Sequence, residues 1–488
     1  MLTHVFGSLS ENKAYIKNIF KDCEDVVTRD LLIGKGNAYE LFMVYTDNIA
    51  SSGIIEESVM TNLMTRSHVS VKNEADLLDA VKDETIAVGE VAFEKYFENL
   101  ITSILLGDTV IFSDKNASAL VISTKGWPSR GVGQTETEVV VQGPKDAFTE
   151  TVSMNIVLIR RRIRDCRLKL KRSRIGSRTK TDTALMYMED LVRAEILEDI
   201  KKRLSFIDTD AVFDSGYLAQ LIEKDYLSPF PQLQITASAL LEGRIALIVD
   251  NSPFVVLLPA TLNVFFQSSE DYYERWEIMS FVRLIRYAAA ALAVILPGLY
   301  IALMVYHPEM IPTSLALKIA ASREAVPFPT VVEVMIMEIE FELLREAGIR
   351  LPGPVGSTMG IVGGIIIGQA AVEAGLVSPA VIIISALTGI CTFVIPNNQM
   401  VSALRLSKYF IIAMSAALGL FGLWAGVIVI LIHLSGLKSF NVAYMSPYAS
   451  PEINNYTDLK DSIIRLPLFM MKKRPVFTRE NAGGRMRD

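Results

Sequence analysis

The sequence is poor in the residues from which most metal centres and nucleophilic active sites are built. Its 488 residues include three cysteines and four histidines. Cys23, Cys166 and Cys391 are odd in number and far apart, so no disulfide framework is expected, and a cytoplasmic soluble part suits them. His4, His68, His307 and His433 are scattered, which leaves a His/Cys metal site without support. There is no G-x-S-x-G elbow and no H-E-x-x-H helix, and SRIGSRTKTD (173–182) lacks the spacing of a phosphate-binding loop. Neither an enzyme nor a resident cofactor or metal is expected. The net charge of −6 argues against nucleic acid as a partner. The opening MLTHVFGSLSENKAYIKNIF has no basic n-region, unbroken apolar run or small-residue cleavage site, so it is not read as a signal peptide. Before about residue 280 no long uncharged apolar window occurs either.

What the chain does have is oil and charge in separate parts. Hydrophobic residues make up 51% of it and charged residues still 21%, figures that coexist when a charged soluble half precedes an apolar one. Residues 1–25 read as a leading arm or helix. Residues 26–145 read as a first cytoplasmic α/β subdomain. In it NAYELFMVYTD gives a strand, FEKYFENLITSILLGD a helix, and TVIFSDKNASALVISTKGW two strands about a turn. Residues 146–270 read as a second, with AFTETVSMNIVLIRRRIRD a helix, DTALMYMEDL a strand and AEILEDIKKRLSFI a helix. RIALIVDNSPFVVLLP then forms a hairpin, because Asp250, Asn251, Ser252 and Pro253 are good turn chemistry.

A transmembrane domain is expected over 280–437. YAAAALAVILPGLYIALMV (287–305) is uncharged and follows Arg275, Arg283 and Arg286, a basic cytoplasmic entry. Further spans are expected at 355–372, 379–396 and 409–435, the last long enough to tilt. The tail, 438–488, carries nine Lys/Arg against five Asp/Glu, which assigns it to the cytoplasm. Both termini inside requires an even number of spans, and four satisfies that. The expected fold class is therefore an α+β cytoplasmic N-terminal region of two small α/β subdomains, followed by an all-α polytopic membrane domain of four to five helices.

One segment resists this scheme. TVVEVMIMEIEFELLREAGIRLP (330–352) carries Glu333, Glu338, Glu340, Glu342 and Glu346, too costly for a lipid-facing span. The favoured reading is an interfacial amphipathic helix over 330–347, the other a fifth span buried in protein. Its carboxylates are expected to pair with neighbouring arginines such as Arg345 and Arg350. Arg405 and Lys408 lie at the outer end of the fourth span, against the positive-inside rule.

Two patterns could carry function. The run RRRIRDCRLKLKRSR holds Arg160, Arg161, Arg162, Arg164, Arg167, Lys169, Lys171, Arg172 and Arg174. It reads as a patch for membrane lipid headgroups or an acidic partner, or equally as a solvated helix end and strand. In the second span Gly356, Gly360, Gly364 and Gly368 recur every four residues, a stripe that lets another helix backbone approach. About a quarter-turn round lie Thr358, Val362, Ile365, Gln369 and Glu373. This line reads as a water-facing pore wall with a constriction at Val362 and Ile365, or as groups bonded to a neighbouring helix and to headgroups.

Seven motifs in order, SPFPQ (228–232), DNSPF (250–254), DYYERW (271–276), VPFPT (326–330), ELLREAGIRLP (342–352), GQAAVEAGLVS (368–378) and DSIIRLP (461–467), resemble the GerA-type spore germinant receptor A subunit. The resemblance covers about residues 140–475 and is looser before that. RRRIRDCRLKLKRSRIGSRTKTD also looks like the related SpoVAF-type branch. The resemblance implies a multi-pass protein of the inner membrane of the bacterial spore. It implies partners: a transporter-like, nutrient-binding B subunit and a C-subunit lipoprotein. It further implies a homo-oligomer, with a pentamer expected, acting as a ligand-gated channel that releases monovalent cations. The competing readings are a SpoVAF-type accessory ion-release channel, a non-conducting scaffold working through residues 1–270, and a secondary transporter.

Overall fold

The computed structural model describes residues 3–34, 39–65, 77–84, 88–126, 144, 146–222, 228–230, 233–350, 368–449, 461–471, 474, 478–479 and 484. The chain divides into an α/β unit, Met1–Ala260 with Ser439–Val442 and Met471–Asp488, and a helical unit, Thr261–Lys438 with Ala443–Met470.

The α/β unit opens with α1 (Leu9–Ile19), β1 (Val26–Ile33) and β2 (Tyr39–Thr46). A π-helical turn (Ile54–Met60) runs into α2 (Thr61–Thr65), followed by α3 (Leu77–Glu84), β3 (Val91–Glu94), α4 (Phe97–Leu106), β4 (Thr109–Ser113) and β5 (Ala119–Ile122). The strands form one sheet in the order β1-β2-β4-β5-β3, every neighbouring pair antiparallel. Central β4 is buried throughout because helices cover both sheet faces. Phe42, Val44, Val110 and Phe112 pack on α1 and α4, while Leu41, Met43 and Ile111 pack on α2 and α3. The strand period of two sorts these residues between the faces.

The same plan then repeats. The second half runs α5 (Val152–Arg162), β6 (Leu168–Ile175), β7 (Thr181–Met188), α6 (Ala194–Ser205), α7 (Ser215–Ile222), β8 (Ser228–Phe230), α8 (Leu233–Leu241), β9 (Ile245–Val249) and β10 (Val255–Leu258). Its sheet order is β6-β7-β9-β10-β8, again antiparallel throughout. The correspondence reaches single residues. Asn12 and Asn155, each fourth in its helix, accept from the backbone N–H of Phe6 (3.0 Å) and Thr149 (2.8 Å) and donate back to the same residue's carbonyl. The first helical N–H groups, of Leu9 and Val152, donate to Asp114 and Asp250, both at 2.9 Å. Those aspartates open the two hairpin turns, and Lys115 and Asn251 after them are left-handed. Gly107 and Gly243 precede them at equal spacing, with φ of 96° and 83°, a region that favours glycine. The unit is a duplication.

The repeats are joined by buried polar contacts. Arg160 lies beside Asp25 and bonds it through Nε (2.6 Å) and Nη2 (2.9 Å), both side chains buried. Leu170 of β6 pairs with residues 22–24, and the Cys23 thiol, pushed up in pKa by burial, sits 3.6 Å from the Cys166 carbonyl.

The helical unit comprises α9 (Trp276–Ile301), α10 (Thr313–Ser322), α11 (Thr330–Arg350), helical residues 368–373 (α12), α13 (Pro379–Phe393) and α14 (Asn398–Gly436). Among the described residues, Trp276–Tyr306 and Asn398–Gly436 are long and apolar enough to cross a membrane. The first of these starts earlier than the hydropathy alone suggests, so Arg283 and Arg286 lie inside the helix and are buried, ahead of its uncharged stretch 287–305. The expected span 355–372 falls outside the described residues up to 367. α14 begins at Asn398 because the Asn397 side chain accepts from the N–H groups of Gln399 and Met400. It is broken at Gly419, whose φ of 62° and ψ of −140° suit only glycine. The Tyr306 ring lies against Gly419, and its hydroxyl donates to the Ala416 carbonyl at 2.6 Å.

Candidate functional site

The motif residues that are dispersed in sequence gather in three places. SPF at 228–230 forms β8 and pairs with β10, directly after DNSPF. DYYERW and DSIIRLP meet at the start of α9. There Asp271 accepts from Arg283 (2.7 Å) and Arg286 (2.8 Å), and Asp461 accepts from Arg283 (3.1 Å) and Tyr272 (2.7 Å). Asp271, Arg283 and Arg286 are all buried, so each charge is neutralised within the node.

The third group is an ionic seam along α11. Glu333 receives Arg323 at 2.9 Å, and its other oxygen accepts the Ser378 N–H at 3.0 Å, which ties the residues on either side of VPFPT to the end of GQAAVEAGLVS. Glu338 pairs with Lys408 and Glu342 with Arg405, both cations coming from α14. Of the two arginines expected to serve the carboxylates, Arg345 is placed elsewhere. Arg345 donates to the Thr392 hydroxyl at 2.5 Å and lies over the Phe393 ring, while the side chain of Arg350 is outside the described residues. The two cations that sit badly with the positive-inside rule are the ones the seam uses. The Glu338–Lys408 pair is incomplete: Glu338 Oε1 is buried and has no hydrogen-bond partner among the described residues.

This seam faces inward while oil faces outward. Glu333 and Glu338 are 0% and 2% exposed, whereas Ile339 and Leu343 on the same helix are 48% and 66% exposed. α13 repeats the arrangement, burying Ser385, Thr388 and Thr392 and exposing Ile383, Leu387 and Ile390. In water that order would leave an apolar surface wet and polar groups desolvated, so it suits helices surrounded by hydrocarbon.

Thr358, Val362 and Ile365 of the proposed pore line, and Gly356, Gly360 and Gly364 of the stripe, lie outside the described residues. The remainder separates as two faces. Gly368 is buried, and a Cβ there would sit 3.6 Å from Ile382 of α13, ordinary contact with a helix of the same chain. Gln369 and Glu373 are exposed, and Gln369 donates to Glu373 at 3.0 Å.

The basic run is not one surface. Arg160 is held by Asp25, and Lys169 is buried, donating to the Ile19 carbonyl and pairing with Glu189. Arg162 pairs with Asp146, Arg167 with Asp165 and Asp190, and Arg174 with Asp182. Arg161, Arg164, Lys171 and Arg172 are exposed, and Arg172 approaches Asp47 at 3.9 Å. The run crosses a helix end, a turn and a strand, so its charges point in different directions.

Comparison with known proteins gives a consistent result. The family model described as Bacillus/Clostridium GerA spore germination protein matches residues 14–477. Spore germination protein KA of Bacillus subtilis (strain 168) is 40% identical, across 96% of this chain and 86% of its own length. The uncharacterized membrane protein YfkQ of the same organism is 36% identical, across 96% of this chain and 91% of its own. Among solved structures, the N-terminal domain of the A subunit of the Bacillus megaterium spore germinant receptor GerK3 is 29% identical. It matches with a TM-score of 0.44, covering 54% of this chain and 98% of that one.

Proposed function

The chain belongs to the GerA spore germination protein family and so has a role in spore germination, and on that premise we propose that it is the membrane subunit of a nutrient germinant receptor. In this reading it spans the inner spore membrane several times, with α11 as a protein-buried span instead of an interfacial helix. It joins B- and C-type subunits and assembles with copies of itself to release monovalent cations. The observation that carries the release step is the outward polar pair Gln369–Glu373 on α12, opposite the face at Gly368 that packs on its own subunit. Polar groups on a membrane helix that turn away from their own subunit need water or another copy. A ring of such helices supplies both, with Thr358, Val362, Ile365, Gln369 and Glu373 as the wall. The carboxylate would concentrate cations at one mouth.

The test uses spores carrying Val362→Ala or Ile365→Ala with subunit levels checked by immunoblot. Potassium leak from dormant spores is the expected result. Normal dormancy and normal release in both variants would remove these side chains from the gate.

The break in α14 at Gly419 favours one other reading, a carrier built on a broken helix. Against it, the freed Ala416 carbonyl already accepts the Tyr306 hydroxyl instead of facing a substrate. Nutrient uptake by the purified chain in liposomes would favour the carrier.

A further inference from the structure

The duplication presents one slot twice. In the first repeat, Asp30 on β1 and Glu40 on β2 project from the face covered by α1, and Lys13 of α1 pairs with both, 2.9 Å from Asp30. The slot is closed by the protein's own cation. The registers give its counterpart. Asp30 faces Phe42 across the first sheet as Arg172 faces Ala184 across the second, so Asp30 corresponds to Arg172 and Glu40 to Asp182. Lys13 follows Asn12 as Ile156 follows Asn155. The lysine is therefore replaced by an isoleucine buried in the core, and one of its carboxylates by a guanidinium.

What remains is an open cavity of about 320 Å³ lined by Ser153, Arg172, Ser173, Arg174, Asp182 and Thr183. Arg172 and Arg174 are two residues apart on β6 and so leave the strand on one face. Their present partners are weakly held. Arg174 meets Asp182 at 2.8 Å with both side chains exposed, and Arg172 reaches Asp47 only at 3.9 Å. Each guanidinium has five N–H donors, more than one carboxylate can take. The first N–H of α5 is not part of the site, because Val152 already donates to Asp250. A carboxylate ligand would be satisfied by one arginine fork. A phosphate has three terminal oxygens and can accept from both arginines and from the Ser153 hydroxyl together.

We propose that this slot binds the phosphate group of a small phosphorylated molecule, either a free solute or a lipid headgroup. The site is independent of the cation-release reading and would stand if that reading failed.

The test is calorimetric titration of the full-length chain in nanodiscs of zwitterionic lipid. The probes are inorganic phosphate, glycerol phosphate, a short-chain phosphatidic acid and succinate. Binding of the phosphate probes is expected, with the Arg172→Gln/Arg174→Gln double variant weaker by about tenfold or more. Asp182→Asn, which frees Arg174 from its competitor, is expected to bind more tightly. The substituted side chains are exposed, and an unchanged melting temperature verifies that the fold is intact. Equal affinity for glycerol phosphate and the short-chain lipid identifies a free solute; a preference for the lipid of about tenfold identifies a headgroup. No binding of any phosphate probe, unchanged affinity in the double variant, weaker binding by Asp182→Asn, or succinate binding as tightly as phosphate would each overturn the proposal.

Discussion

In the α/β unit the buried pair of Arg160 and Asp25 is bidentate, at 2.6 and 2.9 Å. In the helical unit the buried pair of Lys408 and Glu338 rests on one carboxylate oxygen, and the other is left without a hydrogen bond among the described residues. Both pairs remove charge from water, yet they differ in what can follow. The first has two parallel hydrogen bonds in one geometry, which suits a joint that holds two repeats in register. The second keeps spare acceptor capacity inside an apolar unit, so it can take a further or a different hydrogen-bond partner. Completeness separates a fixed joint from a group that can respond.

That contrast can be broken by removing one partner from each pair. Asp25→Ala strands a guanidinium that cannot give up its proton, and about 3–5 kcal/mol of stability is expected to be lost from the α/β unit. Hydrogen exchange around residues 22–25 and 160–170 of the full chain would measure it. Lys408→Met strands a carboxylate, which can neutralise itself by taking a proton. Its cost should be smaller, at most about 3 kcal/mol, and should shrink as pH falls. Equal losses at every pH would erase the distinction.

Two smaller effects sharpen the same point at the backbone. Gly419→Ala forces a side chain into a glycine conformation and against the Tyr306 ring, with an expected loss of about 1–3 kcal/mol in thermal unfolding of the reconstituted protein. Tyr306→Phe removes only the bond to the Ala416 carbonyl, about 1 kcal/mol. A larger effect from Tyr306→Phe than from Gly419→Ala would mean that the hydroxyl, and not the glycine, sets the break.

Much of the α/β unit was legible in the sequence. Continuous apolar runs mark β2, β4 and β9, and Asp250 to Pro253 mark the turn into β10. The duplication was not legible, because what the repeats share is sparse. Asn12 and Asn155, Gly107 and Gly243, and Asp114 and Asp250 hold special backbone positions, while the faces between them diverged, as Lys13 and Ile156 illustrate. Arg160 was read as surface because a run of like charge hides where a helix ends and a strand begins. The seam was half legible: composition flagged the carboxylates, but Lys408 and Arg405 lie 70 and 63 positions from Glu338 and Glu342, beyond any local pattern. The fold and the chain's family were within reach of the sequence. The pairing was not.

The central claim, that an outward carboxylate on α12 faces a shared cation path, is tested most directly by the ion selectivity of the assembled, reconstituted protein in planar bilayers. The predicted result is a cation-selective conductance whose cation preference falls by about tenfold or reverses in Glu373→Lys. Normally assembled Glu373→Lys protein with unchanged selectivity, or wild-type assemblies without conductance, would contradict it.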